Sequence, residues 1–219
     1  MQAKWLLWSE CIAVFAGVPA ILGLQLVSVP VLALPLFMVT IPAVLWLGRH
    51  YGYTTELFWV AERQHERQHV RFVVQRFAIS SLLLLAIAWL MIPERLFDLP
   101  RQQPAFWWLF LLVYPVFSVY PQELLYRGFF FRRYASLVSD QRWLILLNAV
   151  LFSWSHIVFH SLVALLYTLV GSLYFAHTYR KTGSLRLACL EHALYGILLV
   201  SIGHGRDLLT STMIERLGI

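Results

Sequence analysis

Charged residues are scarce in this sequence. Only 13% of its 219 residues are Asp, Glu, Lys or Arg, whereas 60% are hydrophobic. A soluble globular domain has roughly 25% charged and roughly 45–50% apolar residues. One soluble core of this length cannot hide so much apolar surface. The composition therefore argues against an ordinary soluble protein and indicates a chain that lies in a lipid bilayer.

Cysteines and acidic residues are also few. The two cysteines, Cys11 and Cys189, lie within apolar stretches, so no disulfide framework is implied. There are 11 Asp and Glu residues against 17 Lys and Arg residues, which gives a formal net charge of +6. A basic soluble domain would suggest nucleic acid as a partner. Here the basic residues lie between apolar runs, which indicates orientation in a membrane, with lipid and not nucleic acid as the partner.

Long apolar runs predict the architecture. A spanning helix needs about 20 mainly apolar residues. The sequence predicts an all-α fold, a polytopic transmembrane bundle of about seven helices, at roughly 5–25, 29–48, 72–92, 105–131, 143–159, 161–179 and 187–204. The first helix is expected to stay as an anchor, because no clear small-residue cleavage site follows a short apolar region.

One structural domain is expected, in three parts. Residues 1–104 hold N-terminal transmembrane helices and a polar connector, residues 105–204 hold a core of helices, and residues 205–219 form a C-terminal tail. Most Lys and Arg residues fall at the N-terminus and in the loops after the second, fourth and sixth helices. Because cytoplasmic loops are enriched in Lys and Arg, a multi-pass protein with a cytoplasmic N-terminus is expected.

Ionisable residues inside the predicted spans are few, and such residues are functional candidates by default. Glu123 and Arg127 are four residues apart, so they share a helix face and can pair. His156 and His192 lie in two later apolar segments. At a rise of 1.5 Å per residue, Glu123, His156 and His192 fall at broadly similar depths from the same predicted face. A shared site requires this agreement.

These residues permit two kinds of chemistry, besides a purely structural role in hydrogen bonds between helices. A carboxylate beside a neutral histidine can activate water, while a second histidine or an amide can stabilise an oxyanion. A zinc ion held by Glu123, His156 and His192 would also make a three-ligand catalytic site with an open position. The residues alone do not separate these alternatives, and the sequence contains no HExxH motif.

The order QELLYRG, FSWSH, then GSL followed by EHALYG resembles the CAAX-protease and bacteriocin-processing family (CPBP, also called Abi) of intramembrane proteases. That family carries EExxxR, FxxxH and HxxxN on successive helices. The resemblance implies a helical bundle whose catalytic core is 105–204, with a cavity open to the cytoplasmic side. It also implies cleavage of peptide bonds near the membrane, in a membrane-associated peptide or protein that is either lipidated or unmodified.

The resemblance also assigns roles. The family's acidic pair and first histidine are taken to activate water, and its second histidine and asparagine to hold the oxyanion. In this chain it implies a catalytic set of Glu123, His156 and His192. The supporting residues would be Gln122, Arg127, Asn148, Phe152 and Tyr195. No cofactor is certain, and zinc on the catalytic set is the alternative.

The chain departs from the family pattern at two positions, reading QExxxR and HxxxG. Gln122 replaces the first glutamate, and an amide cannot accept that proton. Gly196 replaces the asparagine, so one oxyanion donor is missing, which Asn148 or Tyr195 would have to supply. Neighbours on a helix point about 100° apart, so Glu123 takes over from residue 122 only if the helix is rotated or distorted near Pro121.

Two functions therefore stay open. The first is an intramembrane endopeptidase that uses a water activated by Glu and His. The second is a catalytically inactive scaffold or binding protein on the same fold, which the two departures favour.

Overall fold

The computed structural model describes residues 4–24 and 66–209, with residues 42, 46 and 48–50 between them. These residues form six helices that are long and apolar enough to cross a membrane, named here α1 to α6: Lys4–Gly23, Arg67–Met91, Pro104–Arg133, Gln141–Phe159, Leu162–Thr182 and Leu185–Leu208. No strand occurs in the described ranges. The protein is an all-α polytopic membrane bundle, as the composition predicts.

The six helices agree with six of the seven predicted apolar runs. The predicted helix at 29–48 and most of the polar connector lie outside the described residues. The turn between α4 and α5 needs only two residues. His160 adopts a left-handed φ of 51°, and the Ser161 hydroxyl accepts a hydrogen bond from the Ala164 N–H at 3.2 Å, which caps α5.

Helix α3 is interrupted by two π-helical segments, Pro115–Val119 and Leu124–Phe129. The short α-helical piece between them is Tyr120–Glu123. Pro115 and Pro121 each remove a backbone hydrogen bond, which favours such distortions. Because π segments change the phase of side chains along a helix and are frequent at functional sites, α3 does not follow a simple period of 3.6 residues near Glu123.

Helix α1 is a core helix of the bundle. The Phe15 ring packs edge-on against Tyr126 of α3 and against Tyr134, the residue that follows α3, with centroid distances of 5.0 and 5.8 Å. Polar contacts join the same two helices: Arg133 Nη2 lies 2.6 Å from a Glu10 carboxylate oxygen, and the Tyr134 hydroxyl donates to Glu10 at 2.8 Å. Burial, with this hydrogen bond, raises the pKa of the Tyr134 hydroxyl, so it stays protonated and keeps donating.

Helix α6 lies at the centre of the bundle. In the most apolar 18-residue stretch of α6, 61% of the residues are buried, compared with 33% or less in the corresponding stretches of the other five helices. Glu191 is fully buried on the face towards α2 and α5, where it accepts hydrogen bonds from Arg76 Nε at 2.9 Å and from the Thr178 hydroxyl at 2.7 Å. These bonds fix the rotation of α6 and turn the next residue, His192, towards α3.

Candidate active site

Glu123 of α3 and His192 of α6 form the centre of the site. His192 Nδ1 lies 2.8 Å from Glu123 Oε1, and Arg127 Nη1 lies 3.2 Å from the same oxygen. Glu123 and Arg127 are completely buried. The other carboxylate oxygen, Oε2, is buried and has no hydrogen-bond partner among the described residues. The carboxylate is thus held through one oxygen while the other keeps its lone pairs for a ligand.

The carboxylate also shows which nitrogen of His192 carries a proton towards it. An ionised carboxylate only accepts hydrogen bonds, so Nδ1 of His192 donates and Nε2 is left for a further contact. The imidazole ring stacks on Phe175 at a centroid distance of 4.6 Å and an angle of 13°. The edge of the Phe152 ring packs against it at 5.6 Å. These rings fix the direction in which Nε2 points.

Arg127 balances the buried charge of Glu123. Its guanidinium donates to the Ser172 hydroxyl at 2.7 Å and lies over the Phe152 ring, 4.5 Å from the centroid. A second ring, that of Phe175, is 5.5 Å away. Cation–π contacts and a compensating carboxylate lower the cost of burying a guanidinium. The pair is therefore stable away from water.

His156 approaches the same centre from α4 without bonding directly to it. Its Nδ1 lies 2.8 Å from the Phe152 carbonyl oxygen. A carbonyl can only accept, so Nδ1 donates and the neutral ring keeps a lone pair on Nε2. The His156 and His192 rings both pack on Phe152, at 4.7 and 5.6 Å. The structure therefore brings Glu123, Arg127 and His192 into contact and lines up His156 beside them through Phe152.

Three supporting residues make other contacts. Gln122 Nε2 donates to the Ser118 hydroxyl at 2.9 Å, within α3, and its Oε1 is buried without a partner in the part of the chain that the structure describes. Asn148 donates to the Tyr126 carbonyl at 2.8 Å. Tyr195 packs edge-on against Phe77 of α2, at 5.2 Å. Neither Asn148 nor Tyr195 forms a hydrogen bond with Glu123 or His192.

Gly196 lies one turn after His192 and has no room for a side chain. A Cβ built at this position would be 2.6 Å from both Cε1 and Cζ of Tyr114, and closer still to the tyrosine hydroxyl. The Tyr114 ring also packs edge-on against His192, with a centroid distance of 6.1 Å. The phenol of Tyr114 therefore occupies the space that a side chain at position 196 would take.

Zinc on the catalytic set is the alternative that the sequence predicts. No group of three or more His, Cys, Asp and Glu side chains in the described ranges is arranged to hold a metal ion. Glu123 Oε1 and His192 Nδ1 are bonded to each other, which removes two of the possible ligand atoms. Glu123 Oε2 and the Nε2 atoms of His156 and His192 are not used by these contacts, so zinc stays a prediction, and the chemistry below uses no metal ion.

Sequence patterns did not indicate several of these contacts. Tyr114, Ser172 and Phe175 look like ordinary members of apolar runs, and nothing in their spacing marks them. Glu191 precedes His192 in the EHALYG motif, but the motif does not show that its carboxylate is buried. Its partner Arg76 lies more than 100 residues away in the chain, so the sequence does not show that the pair forms.

Comparisons with known proteins identify one match. Residues 104–198, from the start of α3 into α6, match the model of a family described as "Type II CAAX prenyl endopeptidase Rce1-like". The stretch includes every residue of the hydrogen-bonded centre. No curated protein matches the chain, and no solved structure matches it.

Proposed function

Because residues 104–198 match the Rce1-like family model and the chain has six helices of membrane length, we propose that it is an intramembrane endopeptidase. The match agrees with the resemblance that the motifs predict. The observation that carries the proposal is the buried Glu123 carboxylate, whose Oε1 is held by Arg127 and His192 while Oε2 has no partner among the described residues. A buried acceptor with free lone pairs is suited to bind and deprotonate a water molecule.

In the proposed reaction, Glu123 acts as the general base. Its Oε2 accepts a proton from water as the water oxygen attacks the scissile carbonyl carbon, and the carbonyl π electrons move onto the oxygen. When this oxyanion collapses, the C–N bond breaks and Glu123 returns the proton to the leaving amine. His156 Nε2, free in the neutral ring, accepts the second hydrogen of the same water. Arg127 and Ser172 keep the carboxylate in place.

His192 has a different role in this proposal. Its Nδ1 is bonded to Glu123, and Nε2 is directed by the Phe175 and Phe152 rings. In this proposal His192 takes a second proton from solvent before the substrate binds and keeps it throughout the reaction, so that Nε2 donates to the oxyanion while Nδ1 donates to Glu123. Hydrogen-bond donors aimed at a developing oxyanion supply much of the rate enhancement of acyl transfer. The substrate class is a membrane-associated peptide or protein, approached from the cytoplasmic side.

The test uses the purified chain in liposomes with a panel of membrane-associated peptides, each made with and without a C-terminal prenyl group. Mass spectrometry identifies cleavage sites. We expect at least one peptide to be cut, and we expect His156→Ala and Glu123→Ala to lower the rate by about 10²–10⁴-fold, the usual contribution of an acid–base group. Unchanged cleavage by either variant would show that its assigned role is wrong.

The rival function is an inactive scaffold or binding protein, which Gln122 favours because its amide cannot accept a proton. Restoring the family pattern with Gln122→Glu and Gly196→Asn separates the two, provided that Tyr114→Ala is included to make room at position 196. If this triple variant cleaves peptides that the native chain leaves intact, the scaffold function is correct. If the native chain cleaves them already, the protease function stands.

A further inference from the structure

Position 196 and Tyr114 form a coupled pair. The Tyr114 hydroxyl and ring edge lie against the Cα of Gly196, with Cε1 and Cζ only 2.6 Å from where a Cβ would be. Real Cβ atoms essentially never make contacts under 3.0 Å. Tyr114 in this position therefore requires glycine at 196, and the absent side chain of residue 196 is replaced in space by a phenol that comes from another helix.

The phenol lies at the right place relative to His192. Residues 192 and 196 are four apart, so they share one face of α6, and the Tyr114 ring packs edge-on against His192 at 6.1 Å. The Tyr114 hydroxyl makes no hydrogen bond with any residue of the described ranges, although Tyr114 is half-buried in the middle of α3. The phenol O–H is therefore available to donate a hydrogen bond to a ligand.

The backbone of α3 explains why Tyr114 faces the site. On an uninterrupted α-helix, residues nine apart are rotated by about 900°, so Tyr114 and Glu123 would point to opposite sides. The π segment Pro115–Val119 lies between them. It accommodates an additional residue in the turn, which changes the phase by about 100°. Both side chains can then contact His192, as the structure shows.

We propose that the Tyr114 O–H, seated on Gly196 beside His192, is a catalytic hydrogen-bond donor to the oxyanion formed from the substrate carbonyl. This inference rests on the proposed peptidase function and adds a residue to it. The phenol donates a hydrogen bond and keeps its proton, so it changes no step of the proton balance. Tyrosine hydroxyls serve as oxyanion donors when their O–H points at the developing charge.

The decisive variant is Tyr114→Phe, which removes one oxygen and keeps the ring that packs on His192. Loss of one oxyanion donor typically costs about 10²–10³-fold in rate. We expect kcat for a cleaved peptide to fall by about that factor, with KM and the melting temperature nearly unchanged. Tyr120→Phe, which removes a hydroxyl from the same helix, is the matched control and should retain the native kcat.

A rescue experiment tests whether another hydrogen-bond donor can replace the phenol. Tyr114→Ala empties the space over Gly196, and Tyr114→Ala with Gly196→Asn fills it with an amide donor one turn from His192. We expect the double variant to be at least tenfold faster than Tyr114→Ala alone. A purely structural Tyr114 would predict a lower melting temperature for Tyr114→Ala and no recovery of kcat by the asparagine.

The outcomes separate this inference from the function on which it rests. If the native chain cleaves peptides, Glu123→Ala does not, and Tyr114→Phe keeps the native kcat, the oxyanion role of Tyr114 is wrong and the peptidase function stands. If the native chain cleaves nothing, both are wrong. If Tyr114→Phe raises KM and leaves kcat unchanged, the hydroxyl binds substrate in its ground state and the inference is also overturned.

Discussion

At the scale of single residues, the site depends on how a buried charge is compensated. Glu123 is completely buried, and Arg127 and His192 both contact its Oε1. Removing one partner from a buried ion pair leaves an uncompensated charge and typically costs about 3–5 kcal/mol. The same pair, removed as a unit, costs much less. This difference distinguishes a compensated charge from two independent polar contacts.

The first prediction concerns Arg127. We expect Arg127→Met to lower the free energy of unfolding by about 3–5 kcal/mol, because the buried Glu123 carboxylate then loses the guanidinium beside it. Adding Glu123→Gln to this variant should recover a large part of the loss. Denaturant titration of the purified variants measures both effects. If the double variant loses as much free energy of unfolding as the two single variants together, the two side chains are not a coupled buried pair.

The second prediction concerns the packing of Gly196. Gly196→Ala places a Cβ within 2.6 Å of the Tyr114 ring, and overpacking of this kind costs about 1–3 kcal/mol. We expect a lower melting temperature for Gly196→Ala. The double variant Gly196→Ala with Tyr114→Ala should recover part of the lost melting temperature, because the clash is removed. Gly17, where a Cβ would have its nearest neighbour at 3.7 Å, is the matched control, and Gly17→Ala should not lower it.

At the scale of helices, the orientation of α6 decides whether the site forms. Glu191 and His192 are neighbours in sequence and point to different partners. Glu191 is held by Arg76 of α2 and Thr178 of α5, while His192 reaches Glu123 of α3. The contacts of Glu191 with Arg76 and Thr178 therefore position His192 against Glu123. A rotation of α6 about its axis would separate His192 from the carboxylate.

The third prediction follows from this coupling. We expect Arg76→Met to lower both the melting temperature and kcat, the latter by up to about 10²-fold, because small displacements of catalytic groups cost this much. Adding Glu191→Met, which removes the buried charge as well, should restore the melting temperature more than kcat. If Arg76→Met leaves kcat unchanged, α6 does not depend on this contact for its rotation.

At the scale of the whole molecule, the apolar runs were sufficient to predict the bundle. Six of the predicted spans are described, and all six are helices of membrane length, because a run of about 20 apolar residues has few alternatives to a spanning helix. The motifs name Glu123, His156 and His192 as the catalytic set; Glu123 and His192 are in contact, while His156 packs on Phe152 beside them.

The sequence could not show how these residues are presented. The π segments of α3 break the helical period, so no count along the chain relates Tyr114 to Glu123. Ser172 contacts Arg127 and Phe175 stacks on His192, yet nothing in the sequence distinguishes either residue from its neighbours in an apolar helix. Such contacts depend on the rotation and crossing of helices, which are set by packing across the whole bundle.

The fourth prediction concerns orientation. The excess of Lys and Arg on one side predicts a cytoplasmic N-terminus and a cytoplasmic loop between α3 and α4. Ser139 in that loop and Gln102 before α3 are exposed residues at opposite ends of α3. In right-side-out cells, an impermeant maleimide should label Gln102→Cys and not Ser139→Cys in a cysteine-free background. The reverse pattern would show that the site opens to the other side.

In the proposed mechanism, Glu123 Oε2 is the atom that takes a proton from water. The most direct measurement is kcat of Glu123→Gln in liposomes with a peptide that the native chain cleaves, because glutamine keeps the shape and most hydrogen bonds of the carboxylate and cannot accept the proton. We predict a loss of about 10²–10⁴-fold in a chain that still folds, with a lower melting temperature because Arg127 loses its counter-charge. A Glu123→Gln chain that cleaves at the native rate would contradict the mechanism.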